Sequence, residues 1–183
     1  MHAKNLYFDD LDCDLDRFRS LATNPKTEVI DLQSISEARV ALQGEFEKMY
    51  NNVRRPTNQN LDLDFECDHS TYKFLDVKNP IDFDKIPKEL KMKKDGTIKE
   101  FPSYEQIGYD MGKKIPKQKK FFMKEMDGPK KPEEVLHLVN VGQLNHSKKK
   151  QDLVNGILKG LKDSGESAED IKFLNYDGVR NDE

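Results

Sequence analysis

The chain has 183 residues, 36% of them charged and 35% hydrophobic, with a formal net charge of −3. That length carries one domain with a core of its own, and such polarity confines the core to a few dense elements. No apolar run approaches the roughly 18 residues of a membrane span, the acidic start Met1–Asp16 has no secretory pattern, and Cys13 and Cys67 are too few for a disulfide scaffold or a zinc site. A soluble protein of a reducing compartment, without membrane contact, is expected.

Charge is uneven along the chain. Residues 85–150 carry 17 lysines against 9 acids, and both flanks are acidic. The basic stretch contains no Arg, so it suits contact with a polyanion backbone and not base-specific readout. A solvated lysine face explains the same composition.

Residues 1–31 read as an acidic N-terminal extension, partly ordered, with one short helix around Leu15–Leu21. The repeated Asp9, Asp10, Asp12, Asp14 and Asp16 lack the Gly and closing Glu that a calcium loop needs. Residues 32–183 read as a single domain. Its first helix is predicted over 34–51, with Ile35, Ala38, Leu42, Phe46 and Met49 on one arc at ~100° per residue. Ser34 and Glu37 are spaced as a capping box, and Glu45 lies at the margin of the apolar stripe. A loop follows, with Arg54 and Arg55 placed to clamp phosphate.

Leu61–Asp68 alternates strictly, which predicts a strand with Leu61, Leu63, Phe65 and Cys67 on one face and four acids on the other. Thr71–Lys78 is a second strand, paired with the first as a hairpin. Residues 82–102 read as a Lys/Pro-rich insertion or small hairpin tip around Asp95-Gly96. Ser103 and Gln106 form another capping box. They open a helix whose Ile107, Met111, Ile115, Gln118 and Phe122 share a face, and Pro116 is expected to kink or restart it. Lys113, Lys114, Lys117, Lys119 and Lys120 make a face able to track a phosphate backbone. Val135–Val141 is an apolar run expected at the centre of the sheet, where His137 reads as a satisfied core histidine. Ser147 opens a third helix with a stripe of Val154, Ile157, Leu158 and Leu161, and Ile171–Tyr176 is a last strand. The expected architecture is α/β (α+β): one mixed central sheet flanked by helices.

The chemistry concentrates between Asp64 and Lys78. Residues two apart share a strand face, so Asp76 and Lys78 stand side by side while Leu75 and Val77 anchor the opposite face. The preceding strand delivers a second carboxylate from Asp62, Asp64 or Glu66. Two convergent carboxylates make a hard oxygen site suited to Mg²⁺ or Mn²⁺. An ion there polarises a phosphodiester, and a nearby Lys can orient water or neutralise developing charge.

This order of elements and acids resembles the PD-(D/E)XK, or restriction-endonuclease-like, nuclease superfamily, over about Ser34 to Tyr176. The resemblance implies a restriction-endonuclease-like sandwich and a metal-dependent endonuclease. It matches Glu45 to the family's helix Glu, Asp64 in Leu-Asp-Phe to the strand Asp, Asp76 and Lys78 in Asp-Val-Lys to the D-x-K pair, and Gln118 to the helix Gln. Asp64, Asp76 and Glu45 would hold the ion, and Arg54, Arg55, Lys113, Lys117 and Lys120 would meet DNA or RNA. No Pro directly precedes Asp64, which departs from the pattern, and Pro116 beside the Gln position is unusual. The phrases Tyr-Asn-Asn-Val-Arg-Arg-Pro, Leu-Asp-Phe and Asp-Val-Lys-Asn-Pro-Ile also look like C-terminal nuclease domains of bacterial polymorphic and contact-dependent growth-inhibition toxins. That implies a domain delivered as part of a larger secreted or surface protein, acting in the cytoplasm of a target bacterium and silenced by an immunity protein. A non-catalytic binding module on the same fold and a housekeeping or mobile-element nuclease are the rival expectations.

Overall fold

The computed structural model describes residues 15–176. The Asp9–Asp14 run and Cys13 lie outside them. Helix α1 spans Leu15–Ala22 and buries Leu21 and Ala22 against the next helix, so part of the acidic extension belongs to the core. Helix α2 spans Leu32–Phe46. Its start lies earlier than the sequence pattern suggests because Asp31, in extended backbone, is the cap. The Asp31 carboxylate accepts from Ser34 N (2.8 Å) and Asp31 N donates to Ser34 Oγ (3.0 Å). Ser34 is therefore the far partner of the capping box, and Glu37 has no capping duty.

Five strands form one mixed sheet in the order β1-β2-β3-β4-β5. They are β1 Asn51–Arg54, β2 Phe65–Asp68, β3 Phe74–Lys78, β4 Val135–Asn140 and β5 Ile171–Leu174. The first three pair antiparallel and the last three parallel. The expected α/β arrangement around one mixed sheet is what the chain adopts, with β4 buried along its whole length near the middle. Strand β1 occupies a segment that the sequence pattern assigns to helix end and loop. Asn52 takes a positive φ of 51° there, and the register shifts between Asn51 and Arg54, so the segment has none of the alternation that betrays a strand.

One face of the sheet packs Phe65, Cys67, Leu75, Val77, Leu136 and Leu138 against α1 and α2. The other meets α4, Tyr104–Phe122, and α5, Ser147–Lys162. Ladder pairing begins only at Phe65. Leu61 and Leu63 precede it and join Phe74, Phe122 and Val135 in a separate cluster, away from Phe65 and Cys67. The predicted single row of four acids on one strand face is broken at this point. Helix α4 runs unbroken through Pro116. Ser103 Oγ accepts from Gln106 N (3.2 Å), but the Gln106 amide turns to Asp110, so only half of the predicted box forms. The buried stripe of α5 centres on Leu153, Ile157 and Leu161, with Leu158 largely exposed. Gly108 and Gly112 of α4 meet α5 where Gly156 and Gly160 lie, which lets the two backbones touch. Among the described residues no helix is long and apolar enough to cross a membrane.

The insertion holds a 3₁₀ turn over Phe83–Lys85, a one-turn helix α3 over Lys88–Lys91, and a bridge between Met92 and Ile98 around Gly96. Its base is fixed by Asp82, only 2% exposed. That carboxylate accepts from Asn145 N (2.7 Å), Lys149 Nζ (2.8 Å), Asp84 N (3.1 Å) and Tyr104 Oη (3.3 Å). Burial opposes ionisation, but Lys149 and the two backbone donors outweigh it and hold the group well below the usual aspartate range. Asp82→Ala should lower stability by about 2–3 kcal/mol, because several donors lose a buried acceptor. The Asp82 share of wild-type stability is complete above the unfolded value, about pH 4, and is lost as pH falls through the depressed folded value. Urea melts of both proteins from pH 7 to pH 3 should therefore converge toward the acid end. Parallel curves would refute this account.

Candidate active site

Asp76 sits mid-strand in β3, 6% exposed, directly beside His137 of β4 in the parallel register. Its Oδ2 takes His137 Nδ1 at 2.7 Å and Lys78 Nζ at 2.8 Å. Burial pulls the Asp76 carboxyl up, but the His137 hydrogen bond and the Lys78 charge prevail and bring it down to about 2. His137 is fully buried, and its other nitrogen, Nε2, has no hydrogen-bond partner among the described residues.

Asp64 completes the pair. The hairpin register, Phe65 against Leu75, continues to place Asp64 opposite Asp76. Asp64 N donates to Leu75 O (3.1 Å), and Asp64 Oδ2 accepts from Val77 N at 2.6 Å. Where the ladder ends, this side chain supplies the acceptor that a neighbouring carbonyl would otherwise provide. Burial, and then the charges of Asp76 and Glu37, push the Asp64 carboxyl well above the aspartate range. The two acids thus titrate far apart, with Asp64 holding a proton to higher pH.

Glu37 of α2 is the third acid, 4.0 Å from Arg55 and bonded by Gln33 (2.8 Å). Burial foremost, assisted by the charges of Asp31 and Asp76, raises its carboxyl, against the Gln33 hydrogen bond and the charge of Arg55. Arg55 Nη1 donates to Asp64 O (3.0 Å), and its guanidinium lies 4.3 Å from the Phe65 ring centre. Glu37, Asp64, Arg55 and Gln33 line one cleft of about 190 Å³.

Of the acids predicted from the sequence, Asp64 and Asp76 are brought together beside Lys78. Asp62 instead pairs with Lys26 at the surface, and Glu66 accepts from Arg54 and Thr57 N. Glu45 is not at this site. It accepts from Arg17 Nη2 (2.6 Å) and Val53 N (3.1 Å), tying α2 to α1 and β1. Glu37, two turns earlier on α2, faces the acids in its place. Gln118 makes no hydrogen bond to Asp64, Asp76 or Lys78 and lines a second cleft. Arg54 is taken up by Asp68 (2.9 Å) and Glu66 (3.2 Å). Lys113 is half-buried, Lys117 and Lys120 are exposed, and Lys119 is buried on Asp170 (2.9 Å) and so leaves the basic face. Glu37 and the His137 contact were the residues missed. The Asp31-x-x-Ser34 spacing was the signal that would have freed Glu37 from a capping role.

Among the described residues no three His, Cys, Asp or Glu side chains form a closed metal cage. The donor set still fits a hard cation. Mg²⁺ binds through one or two carboxylates and keeps several waters, and the hydrogen bonds on Asp64 and Asp76 fall on Oδ2 of each. No protein-family model, curated protein or solved structure matches this chain.

Proposed function

We propose that the chain is a divalent-metal-dependent nuclease of the PD-(D/E)XK type, hydrolysing phosphodiester bonds of DNA or RNA. The observation that supports it best is the buried Asp76 carboxylate, shared by Lys78 and His137 and facing Asp64 across the hairpin. A buried strand centre is a costly place for a purely structural ion pair, and a second, part-buried acid opposite it raises the cost of dehydration further.

Asp64 and Asp76 would hold Mg²⁺ or Mn²⁺, with Glu37 behind them. When bound, the ion supplies Lewis-acid polarisation and lowers the pKa of water. Lys78 holds the attacking water and offsets charge growing on the phosphoryl oxygens. Its position is set by Asp76, whose orientation is set in turn by His137. Water adds to phosphorus, the bridging P–O bond breaks, and the departing oxygen takes up a proton.

The test is cleavage of plasmid DNA, total RNA and purified tRNA with Mg²⁺, Mn²⁺ or EDTA, by wild type and Asp76→Asn. Metal-dependent cutting lost in the variant is expected, and the polymer cut names the substrate. Cutting that survives Asp76→Asn, or no cutting by folded protein on any polymer, would overturn the reading, the latter in favour of a binding module. The phrases around Asn51–Pro56 and Asp76–Ile81 further support a toxin domain that acts in the cytoplasm of a target bacterium and is neutralised by an immunity protein. Toxicity on expression, relieved by a neighbouring gene product, is the outcome that fits. Harmless expression fits a housekeeping nuclease.

A further inference from the structure

The second cleft, about 320 Å³, is lined by Lys114, Lys117, Gln118 and Phe121 together with Phe122 and Asp62. The first four fall at helical spacing on one face of the last turns of α4. Three of its features are unusual together. Gln118 is half-buried, but its Oε1 is sealed from solvent and has no hydrogen-bond donor among the described residues, a rare state for an amide oxygen. Phe121 leaves 50% of its surface exposed, while Phe122, edge-on to it at 6.2 Å, is locked in the core. Neither Lys114 nor Lys117 has a carboxylate partner among the described residues. Asp62, the one acid on the wall, is already paired with Lys26.

The cleft also adjoins the candidate active site, since Asp62 lines both it and the cleft that holds Glu37 and Asp64. An open aromatic face offers stacking, and two free ammonium groups offer contacts to phosphate; Gln118 Oε1, an acceptor only, would meet a base N–H after its amide turns into the cleft. A polyanion alone would leave the ring unused. A duplex hides its base faces in the stack and cannot reach the ring.

We infer that this cleft is a subsite for one unpaired nucleotide next to the scissile position, so that the substrate is single-stranded or locally unstacked nucleic acid. The inference rests on the nuclease reading for its setting, but its test does not need cleavage. The chain contains no Trp and six Tyr, so Phe121→Trp places a single indole, excited selectively at the red edge where Tyr does not absorb, at the proposed stacking position. In a full-length Lys78→Ala background with EDTA, single-stranded RNA or DNA should quench that emission, and the same sequence as a duplex should not. The RNA and DNA arms tell which strand is preferred.

Phe121→Leu should weaken single-strand binding about tenfold. Phe46→Leu, which alters a comparably exposed ring (55%) on α2, should change it by less than about twofold. Emission that ignores both ligands, or responds equally to duplex, overturns the subsite. Quenching without cleavage by wild type keeps the subsite and removes the nuclease. Cleavage with a silent Trp does the reverse.

Discussion

Lys78→Ala should reduce cleavage by about two to three orders of magnitude while the fold persists, the loss typical of removing one aimed electrostatic group. Its side chain is 14% exposed and its ammonium lies 2.8 Å from Asp76 Oδ2, so nothing else in the strand can replace it. The sharper form of the experiment compares two glutamates of one helix. Glu37→Gln keeps size and hydrogen bonding but removes the charge that faces Asp64 and Asp76, and a loss of about 10- to 100-fold is expected, as for groups that orient metal ligands. Glu45→Gln should leave the rate almost unchanged and cost about 1 kcal/mol of stability, through Arg17 and Val53 N. Initial rates at saturating metal, with circular dichroism melts of each variant, would check all three. The opposite ranking of the two glutamates would return Glu45 to the site.

Gly156→Val should destabilise the protein by about 3 kcal/mol or more, the upper range for overfilling a packed interior. A β-carbon at residue 156 would lie 2.1 Å from Glu105 O, and one at Gly112 would lie 2.3 Å from Ile157 O. Both obstacles are main chain and cannot rotate away. In an open helix, Gly→Ala gains about 1 kcal/mol from propensity alone, so a clear loss for Gly156→Ala too would isolate the close approach. Asn155→Ala, on the exposed side of the same turn, should stay within about 0.5 kcal/mol. Thermal or urea melts give the numbers, and a neutral Gly156→Val would refute the contact.

How much of this was legible depended on whether a residue's role was local. Asp76 and Lys78 could be read because a strand's period of two puts them on one face whatever surrounds them. That Val135–Asn140 lies inside the sheet and not at its edge follows from its unbroken apolar run. Asp64 could not be separated from Asp62 and Glu66 by spacing, since the choice depends on where the ladder with β3 begins. Glu45 was preferred over Glu37 through a plausible local error. Ser34-x-x-Glu37 satisfies a capping rule, but Asp31-x-x-Ser34 satisfies it one turn earlier, and only the fold decides between them. His137 did read as a core histidine, but its bond to Asp76 arises from parallel pairing across a long separation. The glycines of α4 and α5 fell outside the hydrophobic pattern because their role is to be absent from it.

The order of strands in the sheet also implies an order of assembly. β2 and β3 are close in sequence, so closing their hairpin over residues 69–73 loses little chain entropy. β3 meets β4 only after segment 79–134 has been gathered up, and pairings of such contact order are slow. The ribbon that carries Asp76 and Lys78 is thus expected to close before β4 arrives to bury Asp76. Until β4 arrives, Asp76 lacks its His137 partner. The unequal acidity of the two aspartates is a property of the finished sheet, because the burial and the His137 contact that set it come with the β3–β4 crossover and not with the hairpin alone.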